Sequence, residues 1–153
     1  MKLLKTYSAL LTFIFALVFN APLQAQCKDA VKEGINKLDP YSFNGQTNIV
    51  KVKEGKQADL RLVFYKGYNY KIQINTEQLF AEKVSFKIVD DSNNEIFNSD
   101  ANGKKLDAFT FHSNSTQELK IIITSTEKGK ERHCVAVLVG SQLPKNNSSV
   151  RYL

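Results

Sequence analysis

The sequence predicts a mainly β protein, an antiparallel, jelly-roll-like β-sandwich of about eight strands with one short N-terminal helix. Three observations carry that expectation. Short runs with apolar residues at every second position recur along the chain. Clusters of Asn, Asp, Gly and Ser separate these runs at regular spacing. Helical spacing of apolar residues is confined to one segment near the start of the predicted domain. A length of 153 residues, 42% of them hydrophobic, with 7 Gly and 3 Pro, suits one ordinary domain. It excludes collagen-like, low-complexity and generally disordered chains.

Residues 1–25 read as a signal peptide and not as part of the fold. Lys2 and Lys5 give a positive start, Ala9 to Phe19 an apolar run broken only by Thr12, and Ala21-Pro22-Leu23-Gln24-Ala25 a cleavage region. Cleavage is expected after Ala25. The apolar run falls short of the roughly 20 residues that span a bilayer, so no stable membrane insertion is expected after cleavage. A lipoprotein needs a small residue before its Cys, and Gln26 precedes Cys27. The chain is therefore expected in the periplasm or outside the cell. Loss of Lys2 and Lys5 lowers the formal net charge of +6 by two.

In an oxidising compartment the two cysteines, Cys27 and Cys134, are expected to pair. The alternative is a pair of buried free thiols. A redox role is opposed by the lack of a Cys-x-x-Cys motif. The bridge would close most of the domain into one loop, a constraint worth about 4–5 kcal/mol on the chain-entropy model.

The helix is expected over residues 26–38, where Cys27, Val31, Ile35 and Leu38 form one stripe. Asp29 and Glu33 lie toward its start and Lys37 toward its end, as the helix dipole prefers. Asp39-Pro40 stops it. Gly34 inside the stripe costs up to about 1 kcal/mol relative to Ala.

Strands follow. Asn48 to Lys53 alternates, and Asp59 to Tyr65 sets Leu60, Leu62 and Phe64 against Arg61, Val63 and Tyr65. Tyr68 to Asn75 sets Tyr70, Ile72 and Ile74 against Lys71 and Gln73, and the short Lys66-Gly67 connection predicts a β-hairpin between these two runs. Val84, Phe86 and Ile88 repeat the pattern, and an Asp90-to-Asn94 turn leads into Glu95 to Asn98. Asn102-Gly103 marks a loop before Leu106 to His112, which carries Phe109 and Phe111. Glu118 to Ser125 carries Leu119, Ile121 and Ile123. Arg132 to Gly140 is apolar on both faces, as a central strand should be. Residues 141–153 read as a polar tail. The domain is expected over residues 26–140, without an internal repeat.

The stretches Tyr41-Ser42-Phe43-Asn44-Gly45-Gln46-Thr47, Phe64-Tyr65-Lys66-Gly67-Tyr68-Asn69-Tyr70-Lys71-Ile72, Ser115-Thr116-Gln117-Glu118-Leu119 and Cys134-Val135-Ala136-Val137-Leu138-Val139-Gly140 resemble a group of uncharacterised secreted proteins of Bacteroidota. The resemblance implies an exported domain and no known activity. The order of a tyrosine strand, an apolar strand, an Asp/Asn turn, a Phe strand and a further apolar strand is similar to secreted β-sandwiches of the pre-peptidase C-terminal type. The chain departs from them in carrying no catalytic domain.

Several chemistries lack their parts. His112 and His133 are the chain's two histidines, without a His-Glu-x-x-His helix, and are expected on exposed strand or turn positions. His133 beside Glu131 and Cys134 could be drawn as a metal site, but Cys134 is expected in the disulfide. No Gly-x-Ser-x-Gly elbow or Gly-rich phosphate loop occurs, and no spacing selects two carboxylates from Asp59, Asp90, Asp91, Glu95 and Asp107. Asp90, Ser92 and Asn94 carry the spacing of the first EF-hand ligands. Glu95 and Ala101 then replace the required Gly and Glu, so an EF-hand is excluded and a looser calcium site competes with an Asx turn. Lys51, Lys53, Lys71, Lys87 and Lys120 point outward from strands, which is a solvated surface and not a gathered nucleic-acid footprint.

Tyr65 and Tyr68 flank the Lys66-Gly67 turn and offer apolar area with a polar tip, fit for a sugar or peptide. Tyr70 is expected in the core, and the absence of Trp weakens a sugar platform. The expectation is thus an exported, non-enzymatic β-sandwich without a cofactor that binds a protein, peptide or glycan. A small secreted hydrolase is the alternative.

Overall fold

The computed structural model describes residues 23–101, 103 and 105–144. Helix α1 (Leu23–Asn36) precedes strands β1 (Ser42–Lys53), β2 (Gln57–Phe64) and β3 (Asn69–Thr76). A one-turn helix α2 (Gln78–Ala81) follows, then β4 (Val84–Val89), β5 (Glu95–Asn98), β6 (Ala108–His112), β7 (Gln117–Ser125) and β8 (Arg132–Gln142). The leader lies outside the described residues apart from Leu23–Ala25, as do Asn102, Lys104 and residues 145–153 of the tail.

The strands form two four-stranded antiparallel sheets, β1-β8-β3-β6 and β2-β7-β4-β5. This is the jelly-roll order. Among the described residues, only β4 and β5 are joined as a hairpin within one sheet; every other consecutive pair of strands crosses to the opposite sheet.

The hairpin expected between β2 and β3 is not formed. β2 pairs with β7, while β3 pairs with β6 and β8. Residues 65–68 instead arch across the sandwich, with Gly67 at φ 89° in the left-handed region that glycine tolerates. The apolar faces explain the choice. Leu60, Leu62 and Phe64 on β2 join the same core as Tyr70, Ile72 and Ile74 on β3, and two facing sheets bury both rows against each other.

The core lies between the sheets, with Phe86, Ile88, Leu119, Ile121, Ile123, Val135 and Val137 among its buried members. Each such side chain contributes about 1.5–3 kcal/mol on leaving water. β8 is central, as its two apolar faces imply. Val135, Val137 and Val139 face the core, and Ala136 and Leu138 pack under α1 with Ala30, Val31, Ile35 and Leu38. Cys27 and Cys134 form the expected disulfide, with Cα atoms 5.5 Å apart and a separation of 107 residues.

Several boundaries differ from expectation. α1 begins before Gln26, so its first turn holds no acid and its last turn no base, and Lys37 follows the helix. β1 extends back to Ser42 through an irregular pairing between Phe43 and Thr47. β8 runs on to Gln142, so Ser141 and Gln142 are strand, paired with Tyr70 and Asn69.

Candidate binding cleft

β1 and β2 are edge strands of opposite sheets, and the Tyr65–Tyr68 arch joins β2 to β3 beside them. A cleft of about 780 Å³ opens here, lined by Asn44 and Gln46 of β1, Arg61 to Phe64 of β2, Tyr65, Tyr68 and Tyr70, and Val139 and Ser141 of β8. Its floor is aromatic. Phe64 meets Tyr70 edge-on at 4.9 Å, and Tyr70 stacks on Phe111 at 5.6 Å. Tyr70 is buried, as its place in the alternation requires. Above this floor Tyr65 is 62% exposed and Tyr68 38%.

The arch is fixed from behind. The Gly67 N–H donates to the Ser113 carbonyl at 2.8 Å, and the Ser113 N–H donates to the Tyr68 carbonyl at 2.9 Å. The Lys66 N–H reaches Thr116 Oγ1 at 3.2 Å. The Tyr65 N–H donates to the Tyr70 hydroxyl at 3.0 Å. On the opposite wall Asn44 Oδ1 accepts the Gln46 N–H at 3.0 Å, which shapes the irregular stretch of β1. Arg61 pairs with Glu118 across β2 and β7 at 2.7 Å, with both side chains in solvent. Rigid aromatic surface, side-chain amides and one guanidinium thus share a single concavity.

Of the residues lining this cleft, the sequence singles out Tyr65 and Tyr68 as candidate contacts and not Asn44, Gln46 or Arg61. The irregular β1 segment carries no alternation, and which strand edges adjoin depends on sheet order. A separate groove of about 820 Å³ lies between α1 and β1, lined by Cys27, Val31, Ile35, Thr47 and Ile49 with Lys28, Lys32 and Lys51. It is largely apolar and offers fewer directional contacts.

The Asp90 turn lies away from the cleft. Both Asp90 carboxylate oxygens accept from Asn94, from its backbone N–H at 2.8 Å and its side chain at 2.9 Å, and Asn93 adopts φ 62°. The Asn94 side-chain hydrogen bond, followed by the backbone one, holds the Asp90 carboxyl below its ordinary value. Ser92 Oγ donates to Asp91 and not to Asp90.

The two histidines are also separate. His112 is exposed and bonds Asn69 Oδ1 at 2.9 Å. His133 departs from the exposed position expected of it, because its side chain is only 15% exposed. Its ring stacks on Phe80 of α2 with centroids 3.7 Å apart, and its Nε2 lies 3.2 Å from Glu54.

Among the described residues no helix is long and apolar enough to cross a membrane. No protein-family model matches the chain, and no curated protein matches it. Among solved structures it is similar to the periplasmic lysozyme inhibitor of g-type lysozyme PliG from Aeromonas hydrophila, at 10% identity and a TM-score of 0.48, over 63% of this chain and 85% of that one.

Proposed function

We propose that the protein is an exported, non-enzymatic binding protein that takes an extended peptide segment of a protein partner in the Tyr65–Tyr68 cleft. One observation carries the reading: two exposed tyrosines stand on a hydrogen-bonded arch next to the edge strands β1 and β2, beside Arg61 and two amide side chains. Tyr and Arg dominate the residues that supply binding energy at protein interfaces. Edge strands add main-chain donors and acceptors that an extended peptide can match. The Cys27–Cys134 disulfide supports an oxidising compartment, in keeping with the leader pattern of residues 1–25.

Selection of a displayed peptide library on the purified, disulfide-intact protein tests this. Peptides should be enriched, and their binding should weaken at least roughly tenfold in Tyr65→Ser/Tyr68→Ser at unchanged melting temperature. Selected peptides that bind the double variant as well as the parent would overturn the reading. So would a glycan panel that binds through these tyrosines while no peptide does.

A further inference from the structure

At the far end of β1 the chain assembles a second constellation, independent of the tyrosine cleft. Glu54 follows β1, and Glu131 and His133 flank the start of β8. One ligand atom from each, two carboxylate oxygens and a ring nitrogen, lies within 4.8 Å of the others. The backbone fixes the arrangement: the Glu54 N–H donates to the Glu131 carbonyl at 3.0 Å, and the Glu131 N–H donates to Glu54 Oε2 at 3.2 Å. Phe80 holds the His133 ring from its face. Sequence spacing brings Glu131 and His133 together but not Glu54, which is 79 residues from His133 along the chain and takes the place of Cys134, held in the disulfide.

Two features point to a cation. First, the Glu54 side chain is only 10% exposed, and its carboxylate is fixed by the Glu131 N–H on Oε2 and by His133 Nε2 beside Oε1, so it is presented in one orientation as a ligand must be. A second carboxylate, Glu131, stands beside Glu54. Second, the Glu54 Oε1 to His133 Nε2 distance is 3.2 Å. Donors on the arms of a tetrahedral zinc site, about 2.0–2.1 Å long, stand roughly 3.3 Å apart. The contact is a His–Glu hydrogen bond whose spacing is also that of two zinc ligands, and the ligand atom of exposed Glu131 lies within 4.8 Å of both.

We propose that Glu54, Glu131 and His133 bind a divalent transition-metal ion, with Zn²⁺ the fitting class because imidazole joins the carboxylates. The ion fastens the turn after β1 to the loop before β8. A fourth position stays open to water or to a donor from a bound partner.

The test uses full-length, disulfide-intact protein stripped with a chelator and titrated with ZnCl2 by calorimetry. One zinc per chain should bind and raise the melting temperature by mass action. Glu131→Gln, at an exposed position, should weaken binding at least roughly tenfold without altering the melting temperature of the metal-free protein. His133→Gln should abolish binding, and His112→Gln should leave it unchanged. Zinc should shift the His133 side-chain NMR resonances and not those of His112. If His133→Gln fails to fold, Glu131→Gln and the NMR shifts decide. Zinc binding that survives Glu131→Gln, resonances of His133 that do not move, or equal stabilisation by Mg²⁺ or Ca²⁺ would each overturn the proposal.

Discussion

The hydroxyl of buried Tyr70 accepts the backbone N–H of Tyr65 at 3.0 Å, so a core side chain holds the first residue of the exposed arch. Tyr70→Phe keeps the ring contacts with Phe64 and Phe111 and removes this acceptor. The expected cost is about 0.5–1.5 kcal/mol, the net worth of one hydrogen bond. Urea unfolding should show a lower midpoint at constant slope. Peptide affinity should fall with it, because Tyr65 is then less firmly placed. An unchanged midpoint would show that the arch is held by Ser113 and Thr116 alone.

The same residues show how far the sequence was legible. Tyr70, Ile72 and Ile74 alternate, and that period correctly places Tyr70 in the core and the stretch in a strand. Period alone says which face is buried, not which strand lies alongside. The Lys66-Gly67 connection therefore reads as a hairpin, although it spans the gap between sheets. Gln73 and Asn75 look like a solvated face, yet both are buried because α1 covers that side of β3. Asn75 donates to the Ala30 carbonyl at 2.8 Å, a long-range satisfaction that local pattern cannot reveal. The pairing of Cys27 with Cys134 was legible because a chain with two cysteines leaves one internal pairing.

That disulfide should carry a large share of stability. It ties α1 to the central strand β8 and closes a loop spanning 107 residues. Cys27→Ala/Cys134→Ala is expected to cost about 2–5 kcal/mol relative to the oxidised parent. Non-reducing peptide mapping should find the two residues linked in protein recovered from its native compartment. Equal denaturation midpoints for the parent and the double variant would contradict a stabilising role.

Acid should destabilise the fold through carboxylates engaged in the native state. The Lys37 hydrogen bond holds Glu33 below its ordinary value, the Lys87 hydrogen bond does the same for Glu95, and Asn94 does so for Asp90. Each folded-state pKa is depressed, so the contribution is complete above the unfolded value, near 4, and is lost as pH falls through the folded value. Thermal melts should therefore hold level on this account above about pH 5 and decline below about pH 4. Asp90→Asn should flatten part of that decline. Calcium at millimolar concentration should leave the melting temperature unchanged, because Asn94 occupies both Asp90 oxygens. A calcium-dependent rise abolished by Asp90→Ala would show instead that the turn opens to bind the ion.

Gly34 gives a prediction whose sign opposes simple propensity. In an exposed helix interior, Gly→Ala stabilises by about 1 kcal/mol. Here the added Cβ would overlap the side chain of Leu138 and lie 3.1 Å from Asn75 Cβ. Neither neighbour yields easily. Leu138 is fully buried, and Asn75 is held between the Ala30 carbonyl at 2.8 Å and the Lys37 ammonium at 3.0 Å. The helix cannot simply lift away, because the disulfide anchors it to β8 about two turns upstream, at Cys27. Overpacking of this kind costs about 1–3 kcal/mol, which outweighs the propensity gain across most of its range. Gly34→Ala should therefore lower the denaturation midpoint. Adding Leu138→Val shortens the side chain that the new Cβ strikes, so the double variant should be more stable than the two single costs predict. A Gly34→Ala protein more stable than the parent would mean that α1 sits farther from β8 than the contact with Leu138 requires.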